Sequence, residues 1–110
     1  MLESENIIEI ISKNQFDEAI ESEKLIIADF WGVYCMPCKV LKPLLHKIAY
    51  EHPEILLLTI EVQEWNPELA TEYNIDSIPA VFFIKNGKIV DSFVGVMPEK
   101  EILEKIEANK

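Results

Sequence analysis

Residues Phe30–Lys39, "FWGVYCMPCK", contain both cysteines of this 110-residue chain, Cys35 and Cys38, with two residues between them. The stretch follows a near-continuous apolar run and precedes a segment of helical periodicity, so it marks the change from a buried strand to a helix. A Cys-x-x-Cys pair at such a junction is compatible with half of a zinc site, a structural cross-link or a redox-active pair. The rest of the sequence has to distinguish these three kinds of site.

The composition predicts one domain over residues 1–110, because the chain is short and 49% of it is apolar. The net charge is −10, with ten lysines and no arginine, which argues against nucleic-acid binding because that needs a basic surface. The acidic start "MLESENIIEI" lacks the basic region of a signal peptide, and no apolar run approaches the roughly 20 residues that span a bilayer. We therefore expect a cytoplasmic monomer with no membrane association.

Strand and helix signals alternate along the chain in the order β-α-β-α-β-α-β-β-α. The runs "EKLIIADFW" and "EILLLTIEV" are nearly continuous in apolar residues, as in strands covered on both faces. Asn66 and Pro67 form a helix-start signature, with Asn66 as the expected N-cap. Asn86-Gly87, between two apolar runs, predicts a hairpin. The pattern indicates a mixed sheet between helices.

Zinc and a structural cross-link are the weaker interpretations of the cysteine pair. A closed zinc site needs four ligands, and His46 lies eight residues past Cys38, about 12 Å along the same helix, too far to share a metal. A ring closed over two residues removes little entropy from the unfolded chain, and a cytosolic environment would reduce it. We therefore expect no bound metal and no other cofactor.

A redox-active pair fits the position of the two cysteines. Cys35 falls at the N-cap region of the helix, where unpaired N–H groups and the positive end of the helix dipole stabilise a thiolate. Cys38 lies one turn further along, within reach of Cys35, and Pro37 has a backbone angle suited to the first turn. Cys35 would attack a disulfide, and Cys38 would resolve the mixed disulfide that forms.

Three motifs in order resemble the thioredoxin family over nearly the whole chain. "DFWGVYCMPCK" resembles the family's Asp-Phe-Trp-x-x-Trp-Cys-Gly-Pro-Cys-Lys signature, "SIPAVFFIKNGK" its second signature, and "FVGVMPEKEI" the turn into the last helix. The resemblance implies an α/β thioredoxin fold: five strands in the order 1-3-2-4-5, the last two antiparallel, with two helices on each face. It also implies a thiol–disulfide oxidoreductase that reduces disulfide-bearing proteins and receives electrons from a donor of the thioredoxin-reductase type.

The resemblance also implies roles for individual residues. Cys35 matches the attacking nucleophile, Cys38 the buried resolving thiol, and Asp29 the buried carboxyl group that exchanges a proton with Cys38. Pro79 matches a proline that follows a cis peptide bond opposite the disulfide, although a simple strand-start proline is the alternative. The expected substrate-binding residues around the pair are Trp31, Tyr34, Met36, Pro37, Ile78, Pro79 and Gly95. For Trp31 core packing remains open, and for Gly95 a plain turn glycine.

Four positions depart from the family pattern, and Met36, between the cysteines, is the one that leaves the direction of the reaction open. Tyr34 replaces a usual tryptophan and Met36 a usual glycine, and Asn74 replaces a glycine whose positive φ asparagine tolerates. The third strand lacks the lysine that commonly pairs with the buried carboxyl group, with Thr59 or Ile60 in its place. An oxidase, an isomerase, a donor to one dedicated target and a non-catalytic peptide-binding module therefore remain as alternatives to a general reductase.

Overall fold

The computed structural model describes residues 5–110, which form one five-stranded sheet with four helices. The strand order is β1-β3-β2-β4-β5, with β1 and β2 parallel to β3, and β4 antiparallel to both β2 and β5. This confirms the predicted fold class. The elements are β1 (Ile7–Ile10), α1 (Lys13–Ala19), β2 (Leu25–Trp31), α2 (Met36–Glu51), β3 (Ile55–Glu61), α3 (Pro67–Glu72), β4 (Ala80–Lys85), β5 (Lys88–Val94) and α4 (Glu99–Asn109).

The central strands β2 and β3 are buried along almost their whole length because helices cover both faces of the sheet. On one face, α2 and α4 pack through Leu41, Leu45 and Ile102 against alternate strand residues. On the other face, α1 and α3 pack through Phe16 and Leu69 against the remaining strand residues. The predicted arrangement of two helices on each face is therefore present. Asp29 belongs to the alternation of β2 that faces α2, since Leu25 and Ile27 of the same parity contact that helix layer.

Two asparagines with positive φ allow the chain to turn where the sequence predicted it. Asn86 and Gly87 have φ angles of 54° and 76° and connect the antiparallel strands β4 and β5 in a two-residue turn. Asn74, after α3, has a φ of 53°, so it adopts the left-handed conformation that we expected it to tolerate in place of glycine.

Asn66 has a different role from the predicted one. It occupies the N-cap position of α3, but its side chain makes no capping hydrogen bond. Its buried side-chain Nδ2 instead donates to the carbonyl oxygens of Ile10 and Glu61, each at 3.0 Å. The side chain thus joins the ends of two neighbouring parallel strands, because those carbonyl groups are buried and need donors more than the exposed helix start does.

Candidate active site

The two cysteines lie at the start of α2 and are joined by a disulfide bond. Cys35 is the N-cap residue, with extended backbone angles, and its Sγ accepts a hydrogen bond from the backbone N–H of Cys38 at 3.2 Å. Cys35 is half-buried, whereas Cys38 is only 1% exposed, so the predicted difference in burial between the two sulfur atoms is present. A protein disulfide can therefore reach the sulfur of Cys35 but not that of Cys38.

The peptide bond between Ile78 and Pro79 is cis, as the family resemblance predicted. It lies opposite the disulfide: the Sγ of Cys35 is 3.7 Å from the carbonyl oxygen of Ile78. The carbonyl of Pro79 accepts a hydrogen bond of 2.8 Å from the N–H of Gly95, which has a φ of 87°. Positive φ explains a glycine at position 95, and the hydrogen bond places it next to the Pro79 segment.

The other residues predicted for this surface differ in exposure. Tyr34 and Met36 are 84% and 69% exposed, and Pro37 is exposed beside them. Trp31 and Ile78 are half-buried, so each has part of its side chain in the protein interior. The sequence thus brings two large apolar side chains to the surface directly beside a reactive sulfur, where burial in the core cannot account for them.

Asp29 lies in β2, the middle strand of the sheet, on the face that packs against α2, and is 1% exposed. Its neighbours across the strands are Thr59 of β3 and Val81 of β4, and neither carboxyl oxygen has a hydrogen-bond partner within residues 5–110. Burial raises the pKa of Asp29 to about 7, and the positive charge of Lys42 partly opposes that rise. A group with such a pKa exchanges protons readily near neutral pH.

The register identifies Thr59 as the β3 residue opposite Asp29, where the sequence left Thr59 and Ile60 as alternatives. The expectation that the carboxyl group has no ammonium on β3 is therefore correct, but a lysine acts on it from α2. That residue is Lys42, which the sequence analysis missed. Lys42 lies four residues after Cys38, and this helical spacing could have indicated that both side chains lie on the same face of α2.

Glu61, at the end of β3, fixes the loop beside Trp31. Its carboxylate accepts hydrogen bonds from the backbone N–H groups of Gln63, Glu64 and Trp65 at 2.7–3.0 Å. Burial opposes the charge of Glu61, but these N–H groups outweigh that effect and hold its pKa below the usual range. The sequence analysis did not single out this glutamate, because an acidic residue at a strand end gives no signal of which N–H groups it will bind.

Glu61→Ala is expected to destabilise the fold by about 1–3 kcal/mol at neutral pH, since three N–H groups lose a charged acceptor. The contribution of a carboxyl group with a lowered pKa is present above its unfolded-state pKa and is lost as the pH falls through the folded one. Urea unfolding at pH 7 and at pH 3 measures both effects. Glu64→Ala, on the same loop and exposed, is the matched control. An equal loss for the two variants would contradict the role of Glu61.

Within residues 5–110, no three side chains of the usual metal-ligating types lie together. No helix in the same range is both long and apolar enough to cross a bilayer.

A half-buried cysteine at the start of a helix, bonded to a buried cysteine one turn further on, is the arrangement of a thiol–disulfide oxidoreductase. Residues 7–108 match the family model described as Thioredoxin. The chain belongs to the thioredoxin family, and its activity is that of a protein-disulfide oxidoreductase.

Individual relatives agree with this assignment. A thioredoxin from Chlorobaculum thiosulfatiphilum is 37% identical over 100 residues, which cover 90% of this chain and 92% of the relative. A chloroplastic M-type thioredoxin from Pisum sativum is 36% identical over 96% of this chain and 62% of its own length. Among solved structures, the thioredoxin Mala s 13 of Malassezia sympodialis superimposes with a TM-score of 0.83 at 27% identity, covering 94% of this chain and 93% of that one.

Proposed function

We propose that this protein works in the reducing direction and transfers two electrons from the Cys35–Cys38 dithiol to disulfides of other proteins. The Cys35 thiolate attacks one sulfur of the target disulfide, and the other target sulfur leaves as a thiolate. Cys38 then loses its proton and attacks Cys35, which releases the second target thiolate and closes the Cys35–Cys38 disulfide. The observation that carries this order of events is the burial of Cys38 beneath an accessible Cys35.

Asp29 is proposed to accept the proton of Cys38 in the second step. Its burial on the sheet face that packs against α2, without a hydrogen-bond partner in residues 5–110, and its pKa of about 7 support this role. The titrations of Asp29 and the two thiols are coupled, so the apparent pKa of the resolving step cannot be assigned to one of these residues alone.

The target is proposed to bind along the surface between the disulfide and the Pro79 segment. Ile78 lies just outside β4, which begins at Ala80, and its carbonyl oxygen faces Cys35, so an extended peptide can pair with the backbone there. Proline at 79 offers no N–H donor to the sheet. The exposed Tyr34 and Met36 would contact the partner on the other side of the sulfur.

Electron transport and cell redox homeostasis are the proposed roles in the cell. A donor of the thioredoxin-reductase type returns electrons to the disulfide, and the protein acts as a single-domain cytoplasmic monomer that binds neither membranes nor nucleic acids. The net charge of −10 supports the last point. Gel filtration coupled to light scattering, and turnover of a protein disulfide with a reductase of that type, test the oligomeric state and the donor.

The reduction potential of the Cys35–Cys38 pair decides the direction of the reaction. We expect a value near the roughly −270 mV that is typical of thioredoxin, measured by equilibration with glutathione or a reference thioredoxin. A potential near about −120 mV would instead identify an oxidant.

A specialised partner is the second candidate, because Met36 stands between the cysteines and is 69% exposed. If Met36→Gly slows reduction of one protein target by raising KM and leaves a small disulfide unaffected, Met36 selects partners. Equal turnover of all targets by the wild type and the variant would support a general reductase instead. Intact partner binding with no turnover in the wild type would favour a non-catalytic peptide-binding module.

A further inference from the structure

Lys42 is a half-buried lysine of α2, one turn beyond Cys38 and on the side of the sheet where Asp29 lies. We infer that Lys42 is a positioning residue for the redox reaction: it supplies the positive charge that lets Asp29 take the proton of Cys38 near neutral pH. This inference rests on the proposed role of Asp29. Lys42 lies on α2, whereas the β3 residue opposite the carboxyl group is Thr59, which carries no charge.

Trp31 fixes the position of the Lys42 ammonium group. The Nζ of Lys42 lies 4.0 Å from the centroid of the Trp31 ring, a distance at which the ring face attracts a cation. Trp31 and Asp29 are two residues apart on β2, so their side chains leave the same face of the strand about 7 Å apart. The ring therefore holds the ammonium group at the end of β2, on the face of the strand that carries the buried carboxyl group, rather than leaving it extended into solvent.

The other charged or titratable groups near Asp29 do not supply this charge. Glu61, opposite Trp31 on β3, is negative and is bound by loop N–H groups. His46, one turn beyond Lys42, has a lowered pKa, because of burial and of the Lys42 charge, and is neutral at pH 7. On α4, Glu99 pairs with Lys47. β4 places the apolar Val81 opposite Asp29.

Asp29 on β2 and His46 on α2 both lie within range of the Lys42 charge. It lowers the pKa of Asp29 against the larger effect of burial, and it also lowers the pKa of His46. Without Lys42, burial alone would keep Asp29 protonated to higher pH, and a protonated carboxyl group cannot accept the proton of Cys38. Neither Lys39 nor Lys85 has this position: Lys39 is exposed, and the Nζ of Lys85 donates to the Glu23 carbonyl.

The test measures the titration of the Asp29 side-chain carboxyl carbon by NMR in the oxidised protein, where no turnover is needed. Lys42→Met keeps the length and removes the charge, and it should raise the Asp29 midpoint by about one pH unit. Lys42→Arg keeps the charge and should stay within a few tenths of a unit of the wild type. Lys39→Met, on the same helix, is the matched control and should leave the midpoint unchanged. An unchanged midpoint in Lys42→Met, with the fold intact by circular dichroism, overturns the inference.

A second measurement links this charge to the reaction. The rate at which Cys38 resolves a preformed mixed disulfide should show its pH midpoint about one unit higher in Lys42→Met than in the wild type, with rescue by Lys42→Arg. The same substitution in an Asp29→Asn background should no longer move the midpoint. An equal shift in both backgrounds would mean that Lys42 acts on the thiols directly, and the inference would be wrong. If the NMR midpoint moves and the kinetic one does not, Lys42 tunes Asp29 but the proposed role of Asp29 fails.

Discussion

Cys38→Ser is expected to stop turnover after the first chemical step, so that the protein remains covalently bound to its target. The half-buried Cys35 can still attack a disulfide, but no buried thiol is left to release the product. Cys35→Ser is expected to fail earlier, because Cys38 is 1% exposed and cannot reach a bulky disulfide. In both variants, steady-state reduction of a protein disulfide should fall by at least about a thousandfold, as is usual when a nucleophile is removed.

The two variants are distinguished by the complexes that they trap. Non-reducing electrophoresis with a disulfide-bearing protein should show an adduct, cleaved by dithiothreitol, with Cys38→Ser and little with Cys35→Ser. The double variant, which lacks both thiols, controls for non-covalent association. Comparable trapping by the two single variants would mean that the nucleophile has been assigned to the wrong sulfur. In the reduced wild type, alkylation near neutral pH should modify Cys35 well before Cys38.

Asp29→Asn is expected to stabilise the fold at neutral pH while slowing the resolving step. An unfolded aspartate loses its proton near 3.8, whereas the folded one keeps it until about 7. The carboxyl group therefore contributes most to the free energy of unfolding below pH 3.8, and this contribution is lost as the pH rises from 3.8 to about 7. Above about pH 7 the free energy of unfolding no longer changes through this group. The difference of 3.2 pH units between these two values corresponds to about 4 kcal/mol of lost stability at and above neutral pH.

The gain from the substitution should be about 2–4 kcal/mol at pH 8, less than the full amount because the new amide is also buried. Urea unfolding of the oxidised protein between pH 4 and pH 9 gives the difference directly, and it should grow with pH up to about 7 and then stay level. Asp91→Asn is a matched control, for which the free energy of unfolding should change in the opposite direction. Asp91 is paired with Lys105 at 3.0 Å, and its pKa is lowered chiefly by that hydrogen bond, so its replacement should destabilise the fold at neutral pH.

A different result would change the account of the site. If Asp29→Asn gains no stability at any pH in this range, the carboxyl group is either hydrated or already fully paired in solution. The proposed proton transfer from Cys38 would then need another acceptor.

Most of the fold could be predicted because local patterns and burial agree along the chain. The apolar runs of β2 and β3 give two covered strands, and Asn86-Gly87 gives the hairpin at its observed position. The strand order came from the family resemblance rather than from periodicity, since periodicity identifies elements and leaves the neighbours of each strand undetermined. The cysteine pair could be placed because its chemistry depends on residues adjacent in sequence.

The predictions that failed or were missing depend on contacts between distant residues. The N-cap rule put Asn66 at the correct position, but the side chain serves the carbonyls of Ile10 and Glu61, one of them 56 residues away. Lys42 was missed because a lysine side chain can extend in several directions, and only the packed position of Trp31 selects the one observed. Glu61 was missed for a similar reason, because its partners are backbone groups that carry no sequence signal.

The buried carboxyl group also has a consequence for anyone who evolves this protein toward heat resistance. A library screened only for survival at high temperature should enrich uncharged side chains at position 29, since these remove the cost of burying a charge there. The variants recovered would resist heat but reduce disulfides slowly. A selection that scores disulfide reduction after heating would instead retain the aspartate and direct improvement to other positions.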